Sequence, residues 1–503
     1  MTAAAPYEQG LKFARAGRHA EAIACFEQAL TLAPSEPKVL FALGNTAKAL
    51  GMAKPAEAFF RQVLALEPGR IEALVNLANL LRAYGDAEAA RQLLEPALAR
   101  EPENAELWLA LGSALRDLED AEGAEAAYRT SLEFTPGSAA ALANLADMLA
   151  DKGQRAAALK LYDRALRHAP DNVQAKLNRA VLHLLMGNLK DGWRDYAVRL
   201  KVPGKAPMCD HGLPAWTGAP LKNKRLLVTA EQGVGDEIMF ASMIHDLAAR
   251  AEREGGRVIL ECEARLVPLF ARSFPDVTVH ASARESRNGA VHAHYGWLKQ
   301  AGGANLAVEL GSLPRFLRND IAKFPAQIAY FDADEIEVLN WQRSLASAAR
   351  GPFIGICWRS GKMSNGRARN FAPLEMWAQF LRELPGTPVS VQYDASTDEI
   401  EKLGALSGRA ILVPGGLDQK QELDRAAALF ASLDAVVSAP TAVSWLSAAV
   451  GTPTFKIVRD TSWTSFGCDY EPFAPSCRVI MPAQAGDWAD CFEKARRALN
   501  ARL

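Results

Sequence analysis

Cysteine is scarce, with seven in a chain of 503 residues: Cys25, Cys209, Cys262, Cys357, Cys468, Cys477 and Cys491. None forms a CxxC pair, and the eight histidines fall into no zinc-ligand spacing. A disulfide framework and the common structural zinc sites are therefore not expected. Net charge is nearly absent, at −1 from 57 basic and 58 acidic side chains. That removes bulk attraction to nucleic acid or to an anionic membrane. No run of about 18 apolar residues occurs, so no membrane span is expected. The opening MTAAAPYEQGLKFARAG has no apolar core, so no signal peptide is expected. What is present is an ordinary globular composition, 49% hydrophobic and 23% charged. The length suggests about three or four domains, and a reduced cytoplasmic protein is the simplest reading.

Repetition is the strongest positive signal. Pro34, Pro68, Pro102, Pro136 and Pro170 follow one another at intervals of 34 residues. Twelve residues before each stands alanine: Ala22, Ala56, Ala90, Ala124 and Ala158. Eight before stands a large residue: Phe26, Phe60, Leu94, Tyr128 or Tyr162. Five before stands a small one or valine: Ala29, Val63, Ala97, Ser131 or Ala165. Small residues let paired helices approach, the large residue fills the space between them, and proline stops the second helix. A unit alone leaves an apolar face bare, so the units must stack. The spacing predicts tetratricopeptide helix pairs over 1–205. A degenerate sixth unit keeps Gly187 and Tyr196 but puts Gly192 and Arg199 where small packing residues stood. Such arrays hold another polypeptide. On the inner face, Asn76, Asn144 and Asn178 could clamp a peptide backbone, since asparagine both donates and accepts. They could equally be solvated helix residues.

From about Lys201 the pattern changes. Residues 206–220, rich in Pro and Gly, read as a linker. Apolar runs then alternate with amphipathic segments, the mark of a parallel α/β fold. Two Rossmann-like lobes are expected, at 221–345 and 346–503. Ligands bind beyond the carboxyl ends of strands in open α/β sheets, which singles out four loops. The first, Glu231-Gln232-Gly233-Val234-Gly235-Asp236-Glu237, has glycines for close approach and an acid at a helix start. Asp236 reads as a catalytic acid or as a helix cap. The second, Trp358-Arg359-Ser360-Gly361-Lys362, continues to Arg367 and Arg369 and suits phosphate. Its glycine spacing and Met363 exclude a P-loop. The third, Ser438-Ala439-Pro440-Thr441-Ala442-Val443-Ser444, combines hydroxyls with a helix N-terminus. The fourth, Asp460 to Gly467, offers Trp463 for stacking on a base or sugar.

These four loops, in this order, resemble the heptosyltransferase-like branch of the GT-B glycosyltransferases. GVGDEIMF looks like that family's G-D helix start, and SAPTAVSWLSAAVGTPTF like its donor-phosphate helix. GSLPRFLR at 311–318 and GWRDYAVR at 192–199 also occur in repeat-bearing members. More narrowly, APTAVSW followed by DTSWTSFG is similar to the alphaproteobacterial flagellin nonulosonic acid transferases. The resemblance implies a metal-independent protein O-glycosyltransferase needing no cofactor. It would move pseudaminic acid from a CMP-activated donor to Ser or Thr of flagellin, which the repeats would bind. Lobe 221–345 would face the acceptor, through Gln232, Gly233, Gly235 and Glu237, with Asp236 as base. Lobe 346–503 would hold the donor through Arg359, Ser360, Lys362, Arg367, Arg369, Ser438, Thr441, Ala442, Ser444 and Trp463.

The family's Asp before Thr is Ala439-Pro440 here, and its His is replaced by Ser444-Trp445. A changed donor and a lost activity both account for this. Two other functions therefore stay open: a binding or export chaperone with a vestigial transferase half, and a transferase acting on a lipid-linked or polysaccharide acceptor.

Overall fold

The computed structural model describes residues 3–202, 207–231, 233–287, 290–361 and 368–503. The chain divides into two compact units, Met1–Ala175 and Lys176–Leu503.

The first unit is built from the repeat register. Its helices are α1 (Ala4–Arg15), α2 (His19–Leu32), α3 (Pro37–Ala49), α4 (Ala53–Leu66), α5 (Ile71–Ala83), α6 (Ala87–Arg100), α7 (Ala105–Asp117), α8 (Ala121–Phe134), α9 (Ala139–Asp151) and α10 (Arg155–His168). Each ruler proline falls just past the end of an even-numbered helix, in the turn that leads to the next pair. The alanines twelve residues ahead are fully buried, and so are Phe26, Phe60, Leu94 and Tyr128. Burying each of those large side chains contributes about 2–3 kcal/mol. Close approach is literal at Gly44, where an added Cβ would lie 2.7 Å from the Phe60 ring. The turn after the first helix of each pair needs a left-handed residue. Gly17, Gly51, Gly85 and Gly153 supply it, and Glu119 (φ +63°) takes the conformation where the glycine is missing.

Helix α11 (Val173–Leu185) carries the unit boundary, and α12 (Leu189–Tyr196) lies wholly in the second unit. Leu184, Leu189, Trp193 and Tyr196 join one apolar core with Val228, Ile238, Phe240, Phe466 and Phe473. The boundary therefore falls some 30 residues before the expected 205, because the sixth pair's large residues pack on α/β side chains.

The second unit contains two mainly parallel sheets. The strands, in chain order, are β1 (Met208–Cys209), β2 (Arg225–Thr229), β3 (Arg257–Cys262), β4 (Thr278–Ala281), β5 (Arg284–Arg287), β6 (Ala290–Ala293), β7 (Leu306–Glu309), β8 (Phe353–Cys357), β9 (Thr387–Ser390), β10 (Ala435–Ser438), β11 (Thr454–Ile457), β12 (Tyr470–Glu471) and β13 (Ala474–Ile480). One sheet has the order β4-β3-β2-β7 and the other β12-β13-β11-β10-β8-β9, while β1, β6 and β5 form a small third sheet. In both large sheets the chain moves outward from its first strand and then crosses to that strand's other side. The order therefore reverses between β2 and β7, and again between β8 and β10. These are topological switch points, where the crevice opens at the strand carboxyl ends.

The remaining helices used below are α13 (Val234–Ala241), α14 (Ile244–Arg253), α15 (Val267–Ser273), α16 (Pro314–Leu317), α17 (Glu335–Ala348), α18 (Leu374–Arg382), α19 (Thr397–Ser407), α20 (Leu423–Ala431), α21 (Ala442–Ala449) and α22 (Trp488–Asn500). The expected single helix after β2 is two, because the chain turns at Ser242-Met243. Residues 206–220 do not behave as a linker where they are described. Met208 and Cys209 pair with β6, Ala215 bridges Ala307, and the Trp216 amide donates to the Ala307 carbonyl at 2.7 Å. Trp216 is buried, so this stretch extends the edge of the first sheet. No helix among the described residues is long and apolar enough to cross a membrane.

Candidate functional site

Helix α13 starts directly after β2, and α21 directly after β10. Each therefore points its free N–H groups at a switch point. The two starts also meet. A Cβ placed on Gly235 would lie 3.5 Å from the Ala442 Cα and 3.7 Å from Trp445 Cδ1. Of the expected residues, the structure thus brings Gly235 against Ala442, with Gly233 and Asp236 in the same first turn of α13 and Thr441 at the cap of α21.

Asp236 is half-buried in the first turn of α13, and its carboxylate accepts the Gly233 amide at 3.4 Å. Burial pushes its pKa up to about 6; the Gly233 hydrogen bond opposes this, Glu231 adds to it and Arg199 opposes it. It therefore carries a cap and a perturbed charge at once. Glu237 is engaged at the end of β3. It is buried and accepts the Glu263 amide at 2.7 Å, and burial pushes it up to about 8. Gln232 lies outside the described residues.

Glu231, which opens this loop but was given no role from the sequence, and two groups that sequence reasoning missed, Glu261 and Arg284, gather here. Glu231 is buried, and its Oε1 accepts from Arg199 and from the Gly311 amide at 2.8 Å. Glu261, at the end of β3, accepts the Ala230 amide at 3.1 Å and is pushed up to about 7 by burial. Arg284, at the start of β5, lies 3.7 Å from Glu237. Glu231 Oε2, Glu237 Oε1, Glu261 Oε1 and two Arg284 nitrogens are buried without a hydrogen-bond partner. Buried polar groups are nearly always paired, so this strand-end cluster is unusual. Glu261 and Arg284 lie in sequence that carries no motif. Only the strand order places them here.

The loop after β8 is the opposite. Arg359 was expected on a donor phosphate. Its Nε and Nη2 instead donate to Glu399 at 2.8 and 2.6 Å, and its Nη1 donates to Asp394 at 3.0 Å. Buried Gln392 accepts the Trp358 and Arg359 amides, both at 3.0 Å. Arg359 is thus a brace, and its hydrogen bonds to Glu399 raise its pKa further. Ser360 is half-buried beside it, and Arg369 is exposed. Lys362 and Arg367 lie outside the described residues.

Two further expectations change. Ser438 and Ser444 are fully buried and donate to the carbonyls of Ala439 (2.7 Å) and Thr441 (2.8 Å), so their hydroxyls serve the backbone. Trp463 is no open stacking platform, because its ring packs on Tyr196 and Trp193, with centroids 5.5 and 6.3 Å apart. The Thr441 hydroxyl lies 3.6 Å from Cys357 Sγ. It caps α21 through a 3.3 Å contact to the Val443 amide and is half-buried. The triplet Asp332-Ala333-Asp334 spells D-x-D, but Asp334 caps α17 by accepting the Ile336 and Glu337 amides at 2.9 and 3.1 Å.

In the repeat unit, Asn76 accepts from Lys48 at 3.0 Å and Asn144 donates to Ser113 at 3.4 Å. Ala42 and Ala110 hold the same register position and are buried. Asn178 belongs to the second unit. The asparagines therefore form no continuous ladder.

Comparison with known proteins bears mainly on the repeats. The Tetratricopeptide repeat family matches residues 7–71, 75–139 and 143–193. Protein FlbA of Caulobacter vibrioides is 34% identical over 324 residues, covering 64% of this chain and 54% of that protein. The chain thus spans about half the length of this curated relative. Among solved structures, a thermophilic repeat protein of Thermus thermophilus is 25% identical, covering 36% of this chain and all of that one, with a TM-score of 0.33. PilF of Pseudomonas aeruginosa is 22% identical, covering 40% of this chain and 92% of that one, with a TM-score of 0.34. The first part of the chain is an all-α tetratricopeptide array, and the second is an α/β unit.

Proposed function

We propose that the protein is a metal-independent GT-B glycosyltransferase that moves a nonulosonic acid, pseudaminic acid, from a CMP-activated donor to Ser or Thr of flagellin. The observation that carries this is the meeting of two helix N-termini at the two switch points, with a perturbed carboxyl on one of them. Asp236, with a pKa near 6, is mostly ionised at neutral pH yet basic enough to accept a proton from a hydroxyl. The first-turn N–H groups of α21, with Thr441, offer the leaving CMP phosphate a preorganised anion site. Arg359 is left out of this role because Glu399 and Asp394 already hold it. The repeats suit a protein acceptor, and the similarity to FlbA supports a flagellar setting at the coarser level of a protein-interaction role.

The test is mass spectrometry of flagellin co-expressed with this protein and a pseudaminic acid pathway. A mass increment of one nonulosonic acid per modified residue is expected. Unmodified flagellin that nonetheless co-purifies with the protein would instead support the second reading, a chaperone with a vestigial transferase half. The inward-turned Ser438 and Ser444 favour that second reading.

A further inference from the structure

Arg199 stands in the repeat register where earlier units have Ala29, Val63, Ala97, Ser131 and Ala165. Those residues are small or medium in size and buried. Arg199 is buried as well, which is costly for a charge unless it is paired. Its partners come from both strands at the first sheet's switch point. Its Nη2 donates to Glu231 beyond β2, and to Ser312 Oγ beyond β7 at 3.0 Å. Ser312 donates in turn to Glu309 at 3.0 Å, and the Gly311 amide closes on Glu231 at 2.8 Å. Gly311 has no room for a side chain: an added Cβ would sit 2.4 Å from Glu231 Oε1 and 3.0 Å from the Phe240 ring. The segments 192–199 and 311–318 are joined a second time, where the Trp193 indole donates to the Arg318 carbonyl at 3.0 Å.

Buried polar atoms are nearly always paired. Here Glu231 Oε2 and Arg199 Nε stay buried without partners. The charges acting on Asp236 are those of Glu231 and Arg199, and Glu309 acts on Glu231. The α21 segment that packs against Gly235, the neighbour of Asp236, runs from Thr441 to Ala449 and has no ionisable side chain.

We infer that Arg199, supplied by the end of the repeat register, is a positioning residue for the loop that carries Asp236, acting through Glu231. Its purpose rests on reading Asp236 as the base of the proposed transfer. Arg199 neutralises Glu231, ties the strand ends together, and so fixes both the place and the charge balance of the Asp236 carboxyl. The last position of the repeat register, which lies within the second unit, thereby sets the base.

The test reads Asp236 without needing turnover. Carbodiimide labels protonated carboxyls, and peptide mass mapping follows labelling of Asp236 against pH. In the full-length wild type the midpoint is expected near 6. Arg199→Met leaves Glu231 uncompensated and should raise the midpoint by about one pH unit. Arg199→Lys should restore most of it, and Arg199→Met with Glu231→Gln should return it to the wild-type value or below. Should Arg199→Met not fold, Glu231→Gln alone should lower the midpoint. An unmoved midpoint in Arg199→Met, or a double variant that stays with Arg199→Met, overturns the inference. The pH profile of flagellin modification should move in step. If the labelling midpoints shift as expected while no variant, wild type included, modifies flagellin, the transferase reading fails and the positioning role stands.

Discussion

The two switch points of the α/β unit are topologically alike and chemically opposite. Beyond β2 and β3, Glu231, Glu237 and Glu261 each keep a buried oxygen without a hydrogen bond, and burial raises all three. Beyond β8, each nitrogen-bearing arm of Arg359 has a carboxylate, and Gln392 satisfies the loop's amides. A saturated network holds a loop in one shape. An unsaturated one stores an electrostatic cost that a folded protein tolerates at places where charge or protons are handled. Motif reading had placed the donor anchor at Arg359 because a basic residue stood at a strand end. Basic residues at strand ends are as useful for bracing as for binding, and only the partner tells them apart.

Substitutions can break this contrast, and the largest effect belongs to the unsaturated side. Asp236→Asn keeps size and the cap geometry but removes the base. Flagellin modification should fall about 10²–10⁴-fold, with flagellin binding unchanged in a pull-down. Activity in the wild type should also fall as pH drops through about 6, where Asp236 gains its proton. On the saturated side, Arg359→Met should act on stability. It strands Glu399 and Asp394 and should cost about 2–3 kcal/mol in denaturant unfolding. CMP affinity, read by calorimetry, should change less than twofold. A tenfold loss of CMP affinity with unchanged stability would put Arg359 back on the donor.

A smaller effect separates the sides by pH. Burial raises Glu237 from its ordinary value to about 8. A carboxyl raised on folding favours the protonated folded state, so its stabilising contribution is full below the unfolded value. It is lost as pH rises from about 4.5 toward 8. Glu237→Gln cannot ionise but keeps an acceptor for the Glu263 amide. It should therefore be about 2 kcal/mol more stable than wild type at pH 8.5 and no more stable at pH 4.5. Parallel unfolding curves at the two pH values would mean that Glu237 is hydrated and titrates normally.

The sequence's legibility follows the range of its contacts. Repeat packing is local: Gly44 under Phe60 involves residues 16 apart, and a 34-residue period repeats such contacts until they are unmistakable. The loops at strand ends were readable as well, since each follows an apolar run. Which loops meet was not, because it depends on β2 lying between β3 and β7 and on β8 lying between β9 and β10. Arg359 finds Glu399 40 residues later, and Arg199 finds Glu231 32 residues later, with nothing in either segment to announce the partner. Residues 206–220 misled for a related reason. Pro and Gly mark irregular backbone, yet irregular backbone can still line a sheet edge, as Ala215 and Trp216 do.

Thr441 offers the finest test of whether the α21 start is itself a ligand site. Without ligand, its hydroxyl caps the Val443 amide, and Thr441→Ala should cost about 1 kcal/mol. A phosphate seated on the same helix turn would hydrogen-bond the same amides and do the cap's work. At saturating CMP the cost of Thr441→Ala should therefore shrink to a few tenths of a kcal/mol. Asp334 is the internal control. It caps α17 through the Ile336 and Glu337 amides, in a helix that follows no strand end, so Asp334→Ala should cost the same with and without CMP. If both caps respond alike, CMP stabilises the protein from elsewhere and the anion site at α21 is gone. If only Thr441 responds, the helix that packs against Gly235 is the one that holds the phosphate.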